Sequence, residues 1–241
     1  MTLPTITIDP VYNGPPHSAH GGVAAGLMAG FVESRAASVR FHSPPPLGEP
    51  MEGVHQQDGS TDVFARTDRV ATVRSLPSVE VEPFDPLDPA GVALAESDWL
   101  AEFRDSHPFP RCFGCGTERP DDGLGLTAGL VAGTDVHATF WTPAGSADVP
   151  AWLVWAAIDC PSGAPALAAV PRGTAVVTGE LAVDIRGALR GGERYQIVSR
   201  CTEMSGRKIR TQAAILDRDG TNLAVAASTW IAIAPADSEM P

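Results

Sequence analysis

The sequence predicts an α+β protein, with strands and a helix in the same order twice over in a chain of 241 residues. Short segments alternate apolar and polar residues with the period of two expected of half-buried strands. The order strand, helix, four strands occurs on both sides of a stretch rich in Pro, Asp and Glu, residues 77–89. A chain of this length accommodates one large or two small domains, and apolar residues at 44% suffice for a core.

In the first half, Thr5-Ile6-Thr7-Ile8 alternates as a strand. Residues 13–22 (NGPPHSAHGG) form a turn-rich loop, and Gly14-Pro15-Pro16 stops regular structure ahead of a small-residue helix from about His20 to Glu33. Residues 38–41, 49–57, 61–66 and 69–75 read as strands, with turns at Asp58-Gly59 and Thr67-Asp68. Beyond the acidic stretch, residues 93–105 read as a helix with Trp99, Leu100 and Phe103 on one face, packing against a domain rather than forming one.

The pattern restarts at Gly123. Residues 124–130 and 135–141 read as strands. Asp148 is placed to cap a helix with Pro150 in its first turn, running 151–160 until Pro161-Ser162-Gly163 disturbs it. Four long strands follow at 174–186, 193–203, 207–217 and 223–233, with turns at Arg190-Gly191-Gly192, Met204-Ser205-Gly206 and Asp219-Gly220. This divides the chain into residues 1–76, a linker with a short helix at 77–110, and residues 111–241. Residues 41–52 align without gaps on 185–196, matching Gly48-Glu49 with Gly192-Glu193; few letters agree, so the repeat rests on element order.

The formal charge of −12, from 17 basic and 29 acidic residues, excludes a nucleic-acid backbone as the main partner. Nine of the 17 basic residues lie between Arg172 and Arg218, where most serve as the solvent faces of strands. Among them, Arg207-Lys208-Ile209-Arg210 offers a place for a phosphate. Met1-Thr2-Leu3-Pro4 has neither a basic n-region nor an apolar h-region, and no run approaches a membrane span, so a cytoplasmic protein without a membrane partner is expected. Four unevenly spaced cysteines in a chain this long do not make a disulfide framework.

His20-Gly21-Gly22 sits where the first helix begins. Free N–H groups and a partial positive charge gather there, and two glycines let a carbonyl approach the backbone closely. On spacing alone a Gly-Gly pair is a weak motif that reads as a glycine-rich cap on a packed helix. The stretch resembles the His-Gly-Gly element of hotdog-fold acyl-CoA thioesterases (the PaaI-like superfamily), in which an Asn or Gln precedes the element and a carboxylate follows nine positions after the His. Asn13, His20, Gly21 and Gly22 match; the acid position is Ala29. Nine residues turn a helix by about half a revolution and advance it ~13 Å, so one helix cannot aim both groups at one atom. In that family the two come from antiparallel helices of two subunits.

Aligned with the first helix, the second places Pro150, Ala151 and Trp152 where His20, Gly21 and Gly22 stand, and Asp159 where Ala29 stands. Each half therefore lacks what the other has. The resemblance implies a double hotdog, two antiparallel sheets each wrapped around a long helix as an internal pseudo-dimer. It implies one composite site per chain: Gly21 and Gly22 N–H groups on the thioester oxygen, Asp159 as general base or nucleophile, Asn13 orienting water or carbonyl, His20 in a positional role. Asp159 is otherwise a lone acid in an apolar helix, or a solvated one at a frayed end beside Pro161.

Cys112-Phe113-Gly114-Cys115 is half a zinc site, with His107 as a candidate third ligand. No second C-x-x-C exists, and Cys160 and Cys201 fall in a predicted helix and strand, so no metal is expected. A Cys-x-Gly-Cys-Gly element followed by Gly-Leu-Gly-Leu also precedes the first strand in many hotdog sequences. Cys160, beside Asp159, is a candidate nucleophile or inert core. Trp152 and Trp155, with Trp141, either line an acyl pocket or fill the inactive site.

Two functions remain from this reading. One is an acyl-CoA thioesterase with one site per chain and no cofactor beyond the coenzyme A of its substrate. The other is a non-catalytic hotdog protein that binds acyl-CoA or a lipid-like ligand, a reading that the acid missing at Ala29 favours. Trp152, Trp155, Arg207, Lys208 and Arg210 are the candidate ligand contacts. A homodimer or higher homo-oligomer is expected, as for hotdogs generally. A hotdog dehydratase lacks its Asp-x-Asn-Pro-x-His context here.

Overall fold

A computed structural model describes residues 3–119 and 121–233. The first half contains strand β1 (Ile6–Thr7), a 3-10 turn at Pro10–Tyr12, helix α1 (Gly21–Ala29) and strands β2 (Ala36–Phe41), β3 (Pro50–His55), β4 (Thr61–Ala65) and β5 (Asp68–Leu76). Helix α2 (Pro89–Phe103) follows the linker. The second half contains β6 (Gly129–Leu130), β7 (His137–Trp141), helix α3 (Ala151–Ala169), β8 (Ala175–Ile185), β9 (Tyr195–Ser205), β10 (Lys208–Leu216) and β11 (Asn222–Ile233).

The expected two sheets are one. All eleven strands pair in the order β1-β3-β4-β5-β2-β8-β11-β10-β9-β7-β6, every pairing antiparallel. The halves join where β2 meets β8, Ala36 opposite Asp184 through Arg40 opposite Glu180. Each strand would otherwise be an open edge of its own sheet, and pairing removes both edges.

Alternation assigns the two faces of this sheet. Ile197, Ile215 and Ala226 point to the cluster that contains α1 and α3, together with Val39, Met51, Val63 and Val73 from the first half. Their neighbours Val198, Leu216 and Val225 point to the opposite face. There the acidic stretch and α2 cover them with Val79, Phe84, Val92 and Ala95. Polar bonds hold that cover: Gln196 exchanges two bonds with the Leu87 backbone, and Arg186 Nη2 donates to Val79 O at 2.8 Å. Glu96 accepts from Thr139 Oγ1 and Phe140 N. α2 lies on the outer face of the second half and begins at Pro89, one turn before the expected start at 93.

α1 and α3 lie side by side and antiparallel, because Gly22 faces Trp155–Asp159 while Gly26, one turn on, faces Trp152. A Cβ at Gly22 would stand 2.5 Å from Trp155 O and 2.6 Å from Asp159 Cβ; one at Gly26 would stand 2.7 Å from Trp152 Cα. Two glycines on one face therefore set how closely the helices approach.

Three local expectations are corrected. α3 does not stop at Pro161 but runs to Ala169 through Pro161 and Pro165. Pro165 lacks the N–H that would bond Pro161 O, and Ser199 Oγ on β9 donates to that carbonyl instead, at 2.7 Å. Asp148 makes no cap: the N-cap is Pro150, without a side-chain bond, and Asp148 is exposed against Arg190. Residues 124–126 are no strand, because their N–H groups bond the cysteine loop, Leu124 N to Phe113 O and Leu126 N to Gly114 O.

Candidate active site

The Asn13 loop delivers His20 to the start of α1. Tyr12 O accepts from His20 N, and Pro45 O accepts from Ala19 N. His20 is the N-cap, its Nδ1 accepting from Val23 N–H at 3.3 Å, which leaves the ring proton on Nε2. The side chain is 1% exposed, and Nε2 lies 3.1 Å from Cys160 Sγ and 3.7 Å from Asp159 Oδ2. Asp159, on α3, is 2% exposed. Its Oδ2 accepts from Gly22 N at 2.7 Å and its Oδ1 from Thr178 Oγ1 on β8 at 3.0 Å. The acid of the second half thus sits on the N-terminus of the first-half helix, where the dipole favours an anion. Burial raises its pKa above the ordinary carboxylate value, against the opposing pull of His20, Thr178 and the Gly22 N–H.

Asp159 meets Gly22 without a gap, so the Gly22 N–H is engaged by the carboxylate rather than open to a substrate oxygen. The Gly21 N–H has no acceptor among the described residues. Gly21 lines the cavity, and a Cβ on it would collide with Thr178 Oγ1 and stand 3.1 Å from Asp159 Oδ2. One backbone donor at this helix end is therefore open, not two.

These groups open onto a cavity of about 570 Å³. Its walls are largely apolar, with Phe41, Trp99, Phe109, Leu167, Trp230 and Ile231 among them. Cys112, Cys115 and Cys160 share one side of it with His20 and His107. Cys112 Sγ lies 3.7 Å from Cys160 Sγ, and His107 Nε2 lies 3.4 Å from Cys115 Sγ. Hydrogen bonds from Cys115 and Cys160, then the proximity of His20, hold the Cys112 thiol well below its ordinary pKa, while Cys115 and Cys160 are pushed well above it. For His20, burial opposes the charge, but the Cys112 sulfur and the Asp159 carboxylate outweigh it and raise the pKa.

No family model matches the sequence, and no curated protein does. Solved structures match nearly end to end. A protein of unknown function with a hot dog fold from Alicyclobacillus acidocaldarius shares 16% identity over 96% of this chain and 93% of its own, with a TM-score of 0.57. An acyl-CoA thioesterase II, TesB2, from Mycobacterium marinum shares 14% over 93% and 92%, also with a TM-score of 0.57. The dehydratase domain of PpsC from Mycobacterium tuberculosis, in complex with C12:1-CoA, shares 14% over 95% and 92%, again with a TM-score of 0.57. The fold is a tandem hotdog.

Within this hotdog frame, His20, Gly21 and Gly22 of the first half lie against Asp159 of the second. Asn13 does not reach them: its Oδ1 accepts from Arg119 Nη1 at 3.0 Å, and its backbone O accepts from Phe113 N. Arg119, 5% exposed, also bonds Val11 O, Arg111 O and Asp122, so it ties the Asn13 loop to the cysteine loop. Trp155 is buried against the glycines of α1, and Trp152 packs edge-on against Tyr12; neither lines the cavity. Trp99 and Trp230 do. Arg207, Lys208 and Arg210 are exposed around the β9–β10 hairpin, away from the cavity lining, and Arg210 pairs with Glu203 at 2.9 Å. Thr178 carried no sequence signal beyond a lone hydroxyl in Val-Val-Thr-Gly. Cys160 lies in a helix, as the sequence predicts, and that helix delivers it to Cys112.

Proposed function

We propose that this chain hydrolyses acyl thioesters, with acyl-CoA as the substrate class and one composite site formed by the two halves as an internal pseudo-dimer. The observation that carries the reading is the Asp159 carboxylate. It is held from both sides by Gly22 N–H and Thr178 Oγ1, next to the free Gly21 N–H, and faces an apolar cavity able to take an acyl chain. The thioester oxygen takes the Gly21 N–H, so the developing oxyanion meets a fixed donor at a helix N-terminus. Asp159 accepts a proton from water as it attacks the carbonyl carbon; the C–S bond then breaks and the thiolate takes that proton back. His20 caps α1 and fixes the position of the glycines. The named activities of TesB2 and of the PpsC domain, both on this fold, are consistent with thioester substrates.

The test is thiol release from a panel of acyl-CoAs. Asp159→Asn keeps shape and removes the base, so turnover falls by roughly 10²–10⁴ with binding little changed. Saturable binding without thiol release in the native protein replaces this reading with that of a binding protein. A second activity is favoured by one distance: His20 Nε2 and Asp159 Oδ2, 3.7 Å apart and from different halves, form an acid–base pair able to add or remove water across a carbon–carbon double bond. Loss of enoyl absorbance from 2-enoyl-CoA, without thiol release, identifies it.

A further inference from the structure

Five sulfur- and imidazole-bearing side chains converge on one wall of the cavity, and the hydrolysis described above uses only His20, as a cap. His20, Cys112 and Cys160 present ligand atoms that all lie within 4.8 Å of one another. Tetrahedral zinc with Zn–S bonds of about 2.3 Å and a Zn–N bond of about 2.0 Å requires S···S edges of about 3.8 Å and N···S edges of about 3.5 Å. The Cys112–Cys160 separation of 3.7 Å matches the first edge, and the His20 Nε2–Cys160 separation of 3.1 Å is about 0.4 Å short of the second. Cys115 is the partner of Cys112 in a C-x-x-C-G turn closed by Gly116 N to Cys112 O at 2.9 Å, and it lines the same cavity.

We infer that Cys112, Cys115 and Cys160, with Nε2 of His20, form a binding site for a zinc ion. The inference does not rest on the thioesterase reading. With no second C-x-x-C, and with Cys160 in a predicted helix 48 residues from Cys112, the sequence alone offers too few ligands. Gly114 keeps the site clear: a Cβ there would stand 2.5 Å from Cys160 Sγ and 2.6 Å from His20 Nε2, in the space a metal must use. His107 completes the arrangement from outside. Its Nδ1 accepts from Phe109 N at 3.0 Å, so Nε2 carries a proton and donates to Cys115 Sγ, the kind of outer bond that stabilises a metal-bound thiolate. Binding releases the thiol protons of the three cysteines. It also moves the His20 ring proton from Nε2 to Nδ1, so the metal-bound form gives up the long 3.3 Å cap bond from Val23 and the acid–base pairing of Nε2 with Asp159, and those roles belong to the metal-free form. The half-buried Cys115 and Cys160 border the cavity, which gives the ion its path in.

The experiment uses the full chain, reduced, reconstituted with zinc under anaerobic conditions, desalted and analysed for metal. About one zinc per chain is expected, and cobalt in its place should give the intense near-ultraviolet thiolate charge-transfer absorption of a sulfur-rich site. Cys112→Ser with Cys160→Ser should lose zinc at least tenfold, and Cys201→Ser, an exposed cysteine outside the cluster, should keep it. Thiol alkylation of the native protein guards against misfolded variants: zinc should slow modification of three of the four thiols, and a chelator should restore it. Asp159→Asn should retain zinc even where turnover is lost, which separates this proposal from the hydrolase reading. Zinc below about a tenth of an equivalent with no cobalt–thiolate band overturns the inference, as does zinc retained in the double variant.

Discussion

At the scale of single residues, the candidate site depends on who bonds Asp159. Thr178→Val removes the hydroxyl that holds Oδ1 while leaving the Gly22 bond to Oδ2 intact. Losing one hydrogen bond to a charged group costs about 1.5 kcal/mol, so kcat should fall about tenfold with KM little altered. Steady-state kinetics on the best acyl-CoA checks this; an unchanged kcat removes Thr178 from the site. His137, buried on β7 with no partner for Nδ1 among the described residues, governs a different property. Burial lowers its pKa from 6.5 to about 4. The unfolded chain then takes up a proton that the folded chain refuses, so the stability present above pH 6.5 declines toward pH 4 and this contribution levels off below it, a loss of about 3 kcal/mol in all. His137→Gln should flatten the stability profile in that window relative to the native protein, measured by denaturant unfolding at several pH values.

Residue identity showed part of this. His20-Gly21-Gly22 and the lone Asp159 were visible because an acid in an apolar helix is costly without a partner. That the partner is Gly22 N–H itself was not visible, nor the diversion of Asn13 to Arg119. Both depend on distances between segments about a hundred residues or more apart.

At the scale of elements, strands were legible because period-two alternation is local, while what ends a helix or joins a sheet is not. Pro161 and Pro165 are helix breakers by their own chemistry, yet α3 continues because Ser199 supplies the donor that Pro165 withholds. Ser199→Ala leaves the buried Pro161 carbonyl unpaired and should cost about 1–3 kcal/mol. The glycines of α1 make a sharper case. Gly26→Ala gains helix propensity of about 1 kcal/mol, but its Cβ meets the α3 backbone at Trp152, and overpacking a tight helix contact typically costs about 1–3 kcal/mol. The melting temperature should therefore fall rather than rise. A rise would mean the helices are free to separate, and that the glycines serve only the loop before them.

At the scale of the whole molecule, the repeat in the sequence points to two units, whereas the packing makes one. The main core draws on Val39, Met51, Val63 and Val73 from the first half and on Trp155, Leu181, Ile197 and Ile215 from the second. The sheet crosses the boundary at β2 and β8, and Asp184 at that seam, itself on β8, is bonded by Arg35 across it as well as by Arg186. Two halves sharing a core and a sheet should unfold together. The five tryptophans allow a clean test, because Trp99, Trp141, Trp152, Trp155 and Trp230 all lie beyond residue 76. Met51, fully buried in β3, belongs to the first half, and Met51→Ala should cost about 2–5 kcal/mol. If the halves are one cooperative unit, the transition reported by tryptophan fluorescence moves by that whole amount and coincides with the transition seen by far-ultraviolet circular dichroism. A fluorescence transition left in place, with circular dichroism splitting into two steps, would show instead that the second half holds its core without the first. In that case Asp159 would keep its helix but lose the Gly22 N–H on which the proposed chemistry depends.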